Sequence, residues 1–275
     1  MSGVPRRSDR IAVMGVLNVT PDSFSDGGRY VTLDDAVAHA LQMRDEGADL
    51  IDVGGESTRP GAERVAASVE TARVLPVIKA LAAESIVISV DTYRAAVAAA
   101  ALEVGARVIN DVSGGLGDPD MARVARDAGC PWVLMHWRGH SKIMRELAVY
   151  SDVVGDVRRE LLASVDAAVA AGVDPDQLVI DPGLGFAKTP EHDWLLLRQL
   201  STFVELGLPV LIGASRKSFL GRLLAAPDGR PRPVGEREDA TTALTTYAAL
   251  CGVWGVRVHN VCPNVDAARV VAALR

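Results

Sequence analysis

The chain reads as a single (β/α)₈ barrel with its site at the C-terminal ends of the strands, and three observations predict this. Eight short apolar segments alternate with helix-patterned stretches along the whole chain, which implies a parallel sheet. Helices stop on a glycine shortly before the next apolar segment, as at Gly47 and Gly105. The length of 275 residues suits such a barrel, with no linker or composition break to divide it. So many strand–helix units in this length favour a closed barrel over an open doubly wound sheet. Residues 1–275 are therefore read as one domain, with residues 1–10 a short polar lead.

Each unit has its own signals. Residues 11–19 are apolar and largely branched, a strand that delivers Asn18, and a polar, turn-rich loop runs to Gly28. Thr32 or Asp34 caps a helix to Glu46; a second strand spans 50–53, a loop runs to Gly61, and Ser68 starts a helix to Ala83. The third strand, 86–90, ends on Asp91, and Thr92 is a plausible cap for the helix to Val104. The fourth unit is a strand around 108–111 with a helix over 119–128; the fifth is 132–136 with a long helix over 151–171. The sixth strand, Leu178-Val179-Ile180, stops on Asp181, where Pro182, Gly183 and Gly185 turn the chain before a helix over 190–206. The seventh, 210–213, leads through Ser215, Arg216 and Lys217 into a helix to about Ala225, and Pro227 to Arg237 reads as a surface loop without a function. A helix over 239–250, a strand over 255–259 and a helix over 264–274 complete the chain.

Composition narrows the function. The chain is 49% hydrophobic and 23% charged, as expected of a soluble protein with a large core. A net charge of −6 argues against a nucleic-acid partner, while leaving room for a local basic pocket. Cys130, Cys251 and Cys262 are odd in number and lack metal-ligand spacing, so each is read as a reduced thiol of a cytoplasmic protein. No apolar run approaches the roughly 18 residues of a membrane span, and no membrane partner is expected.

A barrel of this kind gathers its strand ends on one face. Asn18, Arg59, Asp91, Asn110, His136, Asp181, Lys217, Arg257 and His259 would then share one mouth. A carboxylate at the end of a core strand is costly to desolvate unless paired, so Asp181 is either a cap to a backbone N–H or a ligand group. Asn110 equally suits a turn cap, and His136 a satisfied strand-end histidine. Asp91 and Asp181, with Asn110 beside them, present the acceptors and donors that match a planar ring carrying N–H and amino groups. Lys217 adds a cation for a ring oxygen or nitrogen. Phe186 is either a face for a flat ligand or a loop anchor. Arg59, Arg257 and His259 are donors for phosphate, Asn18 suits a hydrated cation or phosphate oxygen, and Ser218 near a helix start suits a phosphate or carboxylate. There is no dinucleotide fingerprint, no true phosphate loop, no zinc pattern and no nucleophile elbow.

The motifs Asn18-Val-Thr-Pro-Asp-Ser-Phe-Ser-Asp-Gly-Gly28, Asp52-Val-Gly-Gly-Glu-Ser-Thr-Arg-Pro-Gly61, Ser89-Val-Asp-Thr92, Ile109-Asn-Asp-Val-Ser-Gly114, Asp181-Pro-Gly-Leu-Gly-Phe186, Gly213-Ala-Ser-Arg-Lys217 and Arg257-Val-His259 together resemble the dihydropteroate synthase family. The resemblance runs from about Val13 to the C-terminus in the family's order; each motif is modestly specific and the ordered set is highly so. It implies condensation of 6-hydroxymethyl-7,8-dihydropterin pyrophosphate with 4-aminobenzoate, giving 7,8-dihydropteroate and pyrophosphate by an SN1-like route. It places the pterin on Asp91, Asn110, Asp181 and Lys217, next to which Phe186 is the candidate face for the ring. The pyrophosphate falls to Asn18, Arg59, Arg257 and His259, with Mg²⁺ as cofactor at Asn18. The aminobenzoate falls to Phe24, Thr58, Arg59, Pro60, Lys217 and Ser218. Asp26, Asp91 and Lys217 are implied as catalytic, two loops as closing over the site, sulfonamides as competitors, and a homodimer as the assembly. A pterin-dependent methyltransferase shares the carboxylate–amide pocket but has no need of Ser57 to Pro60, Ser215 to Lys217 or the Arg257/His259 pair. A non-enzymatic pterin-binding paralogue would be expected to have lost loop or phosphate residues that this chain keeps.

Overall fold

Strands carry their side chains alternately to two faces, and the alternation here builds two cores. In the computed structural model, which describes residues 9–20, 32–57, 64–140, 144 and 146–275, the strands are β1 (Ala12–Asn18), β2 (Leu50–Gly54), β3 (Ile88–Asp91), β4 (Val108–Asp111), β5 (Trp132–Met135), β6 (Leu178–Asp181), β7 (Leu211–Ile212) and β8 (Gly255–Val258). They form one parallel sheet in the order β6-β5-β4-β3-β2-β1-β8-β7. A parallel bridge from Ile180 to Val210 joins its two edges, and the Ile180 N–H donates to the Pro209 carbonyl at 2.9 Å. The barrel is closed, as the sequence predicts.

The helices are α1 (Leu33–Asp45), α2 (Ala67–Ala83), α3 (Ala95–Glu103), α4 (Met121–Ala128), α5 (Val153–Ala170), α6 (Pro190–Arg198), α7 (Ser201–Val204), α8 (Ser218–Leu223), α9 (Glu238–Cys251) and α10 (Val261–Ala273). Local chemistry accounts for many of their ends. Thr32 and Asp35 form a reciprocal capping box at α1, Asp152 caps α5, and Thr189 with Pro190 opens α6. Gly129 and Gly252 close α4 and α9 in the left-handed conformation.

One set of alternate residues faces the helices. Ile51, Val53, Ile88, Ile109, Leu134, Leu178 and Ile180 are buried there with Val74, Ile78, Leu161 and Phe203 from the helices. The other set points inward. Met14, Leu50, Val108, Val133, Val179 and Leu211 form a separate apolar cluster, with Trp254 packed against it. Two residues further along β2, β4 and β6 stand Asp52, Asn110 and Asp181, with Asp91 level with Asn110 and Arg257 level with Met14 in register. An apolar floor and a polar layer thus follow from period-two alternation alone.

Several local expectations are corrected. Thr92 does not cap α3; Asp118, from the loop after β4, accepts from the Ala95 N–H at 2.9 Å, while the Thr92 hydroxyl accepts from the Arg94 N–H at 3.2 Å. The helix expected over 190–206 breaks after Arg198, and the turn buries both Leu200 and Phe203. The last helix starts at Val261, earlier than expected, because Pro263 occupies the first turn, where a missing N–H costs nothing. The stretch ending in Arg237 is not wholly surface: Arg237 itself is buried, 8% exposed.

Candidate active site

Asp52 is the centre of the polar layer. Fully buried, its Oδ2 accepts from Asn110 Nδ2 at 2.9 Å and from Arg257 Nε at 2.6 Å. Arg257 turns Nη2 to Asp91 Oδ2 at 2.8 Å, so one guanidinium bridges two carboxylates. Burial pushes Asp91 up to about 7, against the pull of Arg257. Burial opposes the charge on Arg257, yet the two carboxylates raise it above its ordinary value. Charges drawn from β2, β3 and β8 therefore lock one another in place before any ligand arrives. Asp52 was missed from sequence, where an acid inside an apolar strand offered only its parity with the strand end as a signal.

Across the mouth, Asp181 makes the strand-end cap that was one of its two readings. Its Oδ1 accepts from the Gly183 N–H at 2.7 Å, a strand-end cap. Its Oδ2 faces Gly213 and Lys217, since a Cβ on Gly213 would lie 3.9 Å from that oxygen and from Lys217 Nζ alike. Glycine at 213 keeps this space open. Burial raises Asp181 despite the opposing Lys217 charge, and burial lowers Lys217 to about 8 despite Asp181. The Lys217 ammonium donates to the Leu184 carbonyl and stands 4.8 Å from the Phe186 ring centroid. Phe186 is thus a half-buried loop residue whose ring stands beside the site lysine. Gly183 needs its residue type: its φ is +68°, and a Cβ there would come within 2.5 Å of the His136 carbonyl oxygen.

The remaining rim residues sort clearly. Asn18 and Asp91 bring an oxygen each within 3.5 Å of the position a Cβ would take on Gly54. His259 Nδ1 lies 3.0 Å from the Ser215 hydroxyl, whose oxygen also accepts from the His259 N–H at 3.2 Å. Ser218 is exposed as the first residue of α8. His136 is a satisfied buried histidine: Nε2–H donates to Glu160 at 2.9 Å and Nδ1 accepts from the Lys188 ammonium at 2.9 Å. Burial and the Lys188 charge push it down to about 3. Phe24, Asp26, Thr58, Arg59 and Pro60 lie outside the described residues.

Behind the rim, Arg94 binds Glu56 at 2.9 Å and Glu70, while Tyr93 donates to Glu56 at 3.1 Å. This cluster anchors the start of the loop after β2; nothing in the spacing of those residues revealed it. Among the described residues no group of three or more His, Cys, Asp or Glu is arranged to hold a metal. No helix among them is long and apolar enough to cross a membrane. The mouth thus holds a charged, hydrogen-bonding wall, an aromatic face and a set of oxygen and nitrogen donors suited to a flat heterocycle with an anionic tail.

Known proteins are similar to this chain in sequence and fold. The family model described as "Pterin binding enzyme" matches residues 14–259. A dihydropteroate synthase of Mycobacterium leprae is 60% identical over 264 residues, covering 96% of this chain and 93% of the relative. The structure of the Yersinia pestis dihydropteroate synthase with a sulfonamide drug superposes with a TM-score of 0.91 at 41% identity, covering 99% of each chain. That of Xanthomonas albilineans dihydropteroate synthase with 4-aminobenzoic acid superposes with a TM-score of 0.88 at 44% identity, covering 97% of this chain and 93% of the other.

Proposed function

We propose how these residues divide the work, and the premise is plain: the chain belongs to the dihydropteroate synthase family of pterin-binding enzymes. Its activity is the condensation of 6-hydroxymethyl-7,8-dihydropterin pyrophosphate with 4-aminobenzoate to give 7,8-dihydropteroate and pyrophosphate. The observation that carries the reading is the pair of carboxylates, Asp91 and Asp181, held at the mouth with Asn110 and Lys217 above the apolar floor and beside the Phe186 ring.

The pterin lies flat against Phe186. Asp181 accepts ring N–H and amino protons in parallel, Asn110 adds an amide, and Lys217 donates to a ring oxygen or nitrogen. The pyrophosphate tail meets Asn18, His259 and Arg257, whose Nη1 is outside both carboxylate pairs, with Arg59 added from the loop after β2. The Asn18 side-chain oxygen, 3.5 Å from the position a Cβ would take on Gly54, is a hard donor beside open space and supports Mg²⁺ at Asn18. Hard cations of this size take few protein ligands and complete their shell with phosphate oxygens and water. When bound at Asn18, the ion supplies neutralisation of charge on the leaving diphosphate.

The C–O bond then breaks with its electron pair passing to the pyrophosphate, leaving a conjugated pterin–CH₂ cation. Asp91 stabilises that cation through space, a role Asp26 shares from the first loop. The aminobenzoate amine attacks the same carbon and loses one proton. Its ring is placed by Phe24, Thr58, Arg59, Pro60 and Lys217, and its carboxylate is received at Ser218. Closure of the two loops excludes water that would trap the cation. Sulfonamides compete for the aminobenzoate position. A homodimer is supported by the exposed Tyr247 and Leu250 on α9, Val270 on α10 and Leu274 just past it, and a cytoplasmic location by three cysteines that are free. Sedimentation showing only monomer at micromolar concentration would overturn the dimer.

The test is pyrophosphate release with and without 4-aminobenzoate. Sustained release that needs the amine, with dihydropteroate formed in equal amount, supports the condensation, and C–O cleavage in a single turnover without the amine supports the SN1-like order. Transfer of a methyl group from a pterin, or pterin binding without turnover, would replace it with a methyltransferase or a non-enzymatic binder.

A further inference from the structure

Arg237 is a buried guanidinium in an unusual setting. Among the described residues no carboxylate pairs with it, and burial alone pushes its pKa down. Its donors go to main chain instead. Nε donates to the Arg232 carbonyl at 2.8 Å, and Nη1 donates to the Arg216 carbonyl at 2.8 Å and the Lys217 carbonyl at 3.4 Å. Its plane lies on Gly221 of α8, where a Cβ would come within 2.5 Å of Cζ, Nε and Nη2. The Arg232 N–H donates to the Gly221 carbonyl at 2.9 Å, tying the same loop to the same helix.

A desolvated charge without a counter-ion is costly, and a fold with a free choice would place an apolar side chain there. What the guanidinium supplies is a fixed fork of donors on consecutive carbonyls. Those carbonyls belong to the segment that carries the site lysine. Arg216 has a φ of +61°, a conformation disfavoured for a residue with a side chain. It is held on three sides: by Arg237 at its carbonyl, by the Thr241 hydroxyl accepting from its N–H at 3.3 Å, and by Glu238 at its guanidinium. All three holders stand at the first turn of α9, behind the rim. On the front of the same segment, the Lys217 ammonium reaches the Leu184 carbonyl and the Phe186 ring.

We propose that Arg237 is a positioning residue for Lys217: by clamping the carbonyls of Arg216 and Lys217 against Gly221, it aims the lysine at the pterin subsite. The inference rests on the assignment of Lys217 to that subsite. It gives the stretch ending at Arg237 a role at a distance from the chemistry, and it explains the glycine at 221. A lysine at 237 keeps the charge and loses the fork, so it should restore little of the clamp.

The experiment is a double-mutant cycle read by fluorescence titration with 6-hydroxymethylpterin, on the full chain. Arg237→Met should weaken pterin binding about tenfold in the wild-type background and less than twofold in the Lys217→Ala background, because a clamp acts only through the residue it positions. Arg237→Lys should show the same pattern at nearly the same amplitude, since the charge without the fork restores little. Equal losses in both backgrounds, or no loss in either, would overturn the proposal. If Arg237→Met does not fold, Arg237→Lys carries the cycle, and failure of both to fold would assign Arg237 to the barrel and reject the positioning role. Wild type that binds the pterin but releases no pyrophosphate would refute the activity and leave the clamp standing.

Discussion

Replacing Asp52 by Asn removes one charge from the centre of the polar layer and almost no volume. Asp52 Oδ2 accepts from Arg257 Nε at 2.6 Å and Asn110 Nδ2 at 2.9 Å in a position with no solvent exposure. At about 4 Å between charges and an effective dielectric near 20, the lost attraction is about 4 kcal/mol. Breaking one partner of a buried pair costs about 3–5 kcal/mol, and Arg257 keeps Asp91 at 2.8 Å, which places the expected loss at the lower end. Against a total stability of about 5–15 kcal/mol, a loss of about 3 kcal/mol is easily read in urea unfolding followed by tryptophan fluorescence. The second readout has a definite sign. Burial raises Asp91 to about 7, Arg257 opposes the rise and the Asp52 charge adds to it. Neutralising Asp52 leaves Arg257 unopposed, so the acid limb of kcat/KM should move to lower pH even as the protein becomes less stable. A stability loss below about 1 kcal/mol, the range of exposed pairs, or an acid limb that moves upward would refute the account of Asp52 as the hub.

Other consequences are as concrete. Lys217→Ala should lower kcat/KM by about 10- to 150-fold, the worth of a hydrogen bond to a charged group; in the wild type, activity should fall as pH rises through about 8, where the ammonium loses its proton. Gly183→Ala places a methyl 2.5 Å from the His136 carbonyl at a φ of +68°; a cost of about 1–3 kcal/mol is expected from the backbone conformation before the contact is counted, and pterin affinity should drop with it because Asp181 is capped by that N–H. Glu160 is held down to about 2 by the Arg138 hydrogen bond and by His136. A depressed carboxyl stabilises the fold above its unfolded pKa and loses that contribution as pH falls toward the folded one. Glu160→Gln should therefore destabilise the protein at pH 6, by urea midpoint, with the gap to wild type closing below about 4.5 as pH approaches 2.

Residues that lie at strand ends were legible because a barrel makes the ends of its strands equivalent. Asn18, Asp91, Asn110, Asp181, Arg257 and His259 needed only a count of residues along each strand. Asp52 shows the limit. It sits two residues below the end of its strand, on the same parity as Leu50, and only the pairing of both β2 and β8 with β1 puts Arg257, 205 residues away, against it. Arg237 shows the same limit in a loop. Nothing in a proline- and arginine-rich stretch tells a solvated arginine from one that grips main chain.

Local periodicity, turn residues and chain length determined the element order and the closed barrel, since these depend on neighbours within a few residues. Partners did not. Thr92 lost the α3 cap to Asp118, and His136 is held by Lys188 and Glu160. Which donor reaches which acceptor depends on distances that exist only after strands far apart in the chain have closed into one ring. The sequence by itself therefore named the residue types at the mouth of this protein, and the tertiary structure decided which charges face one another there.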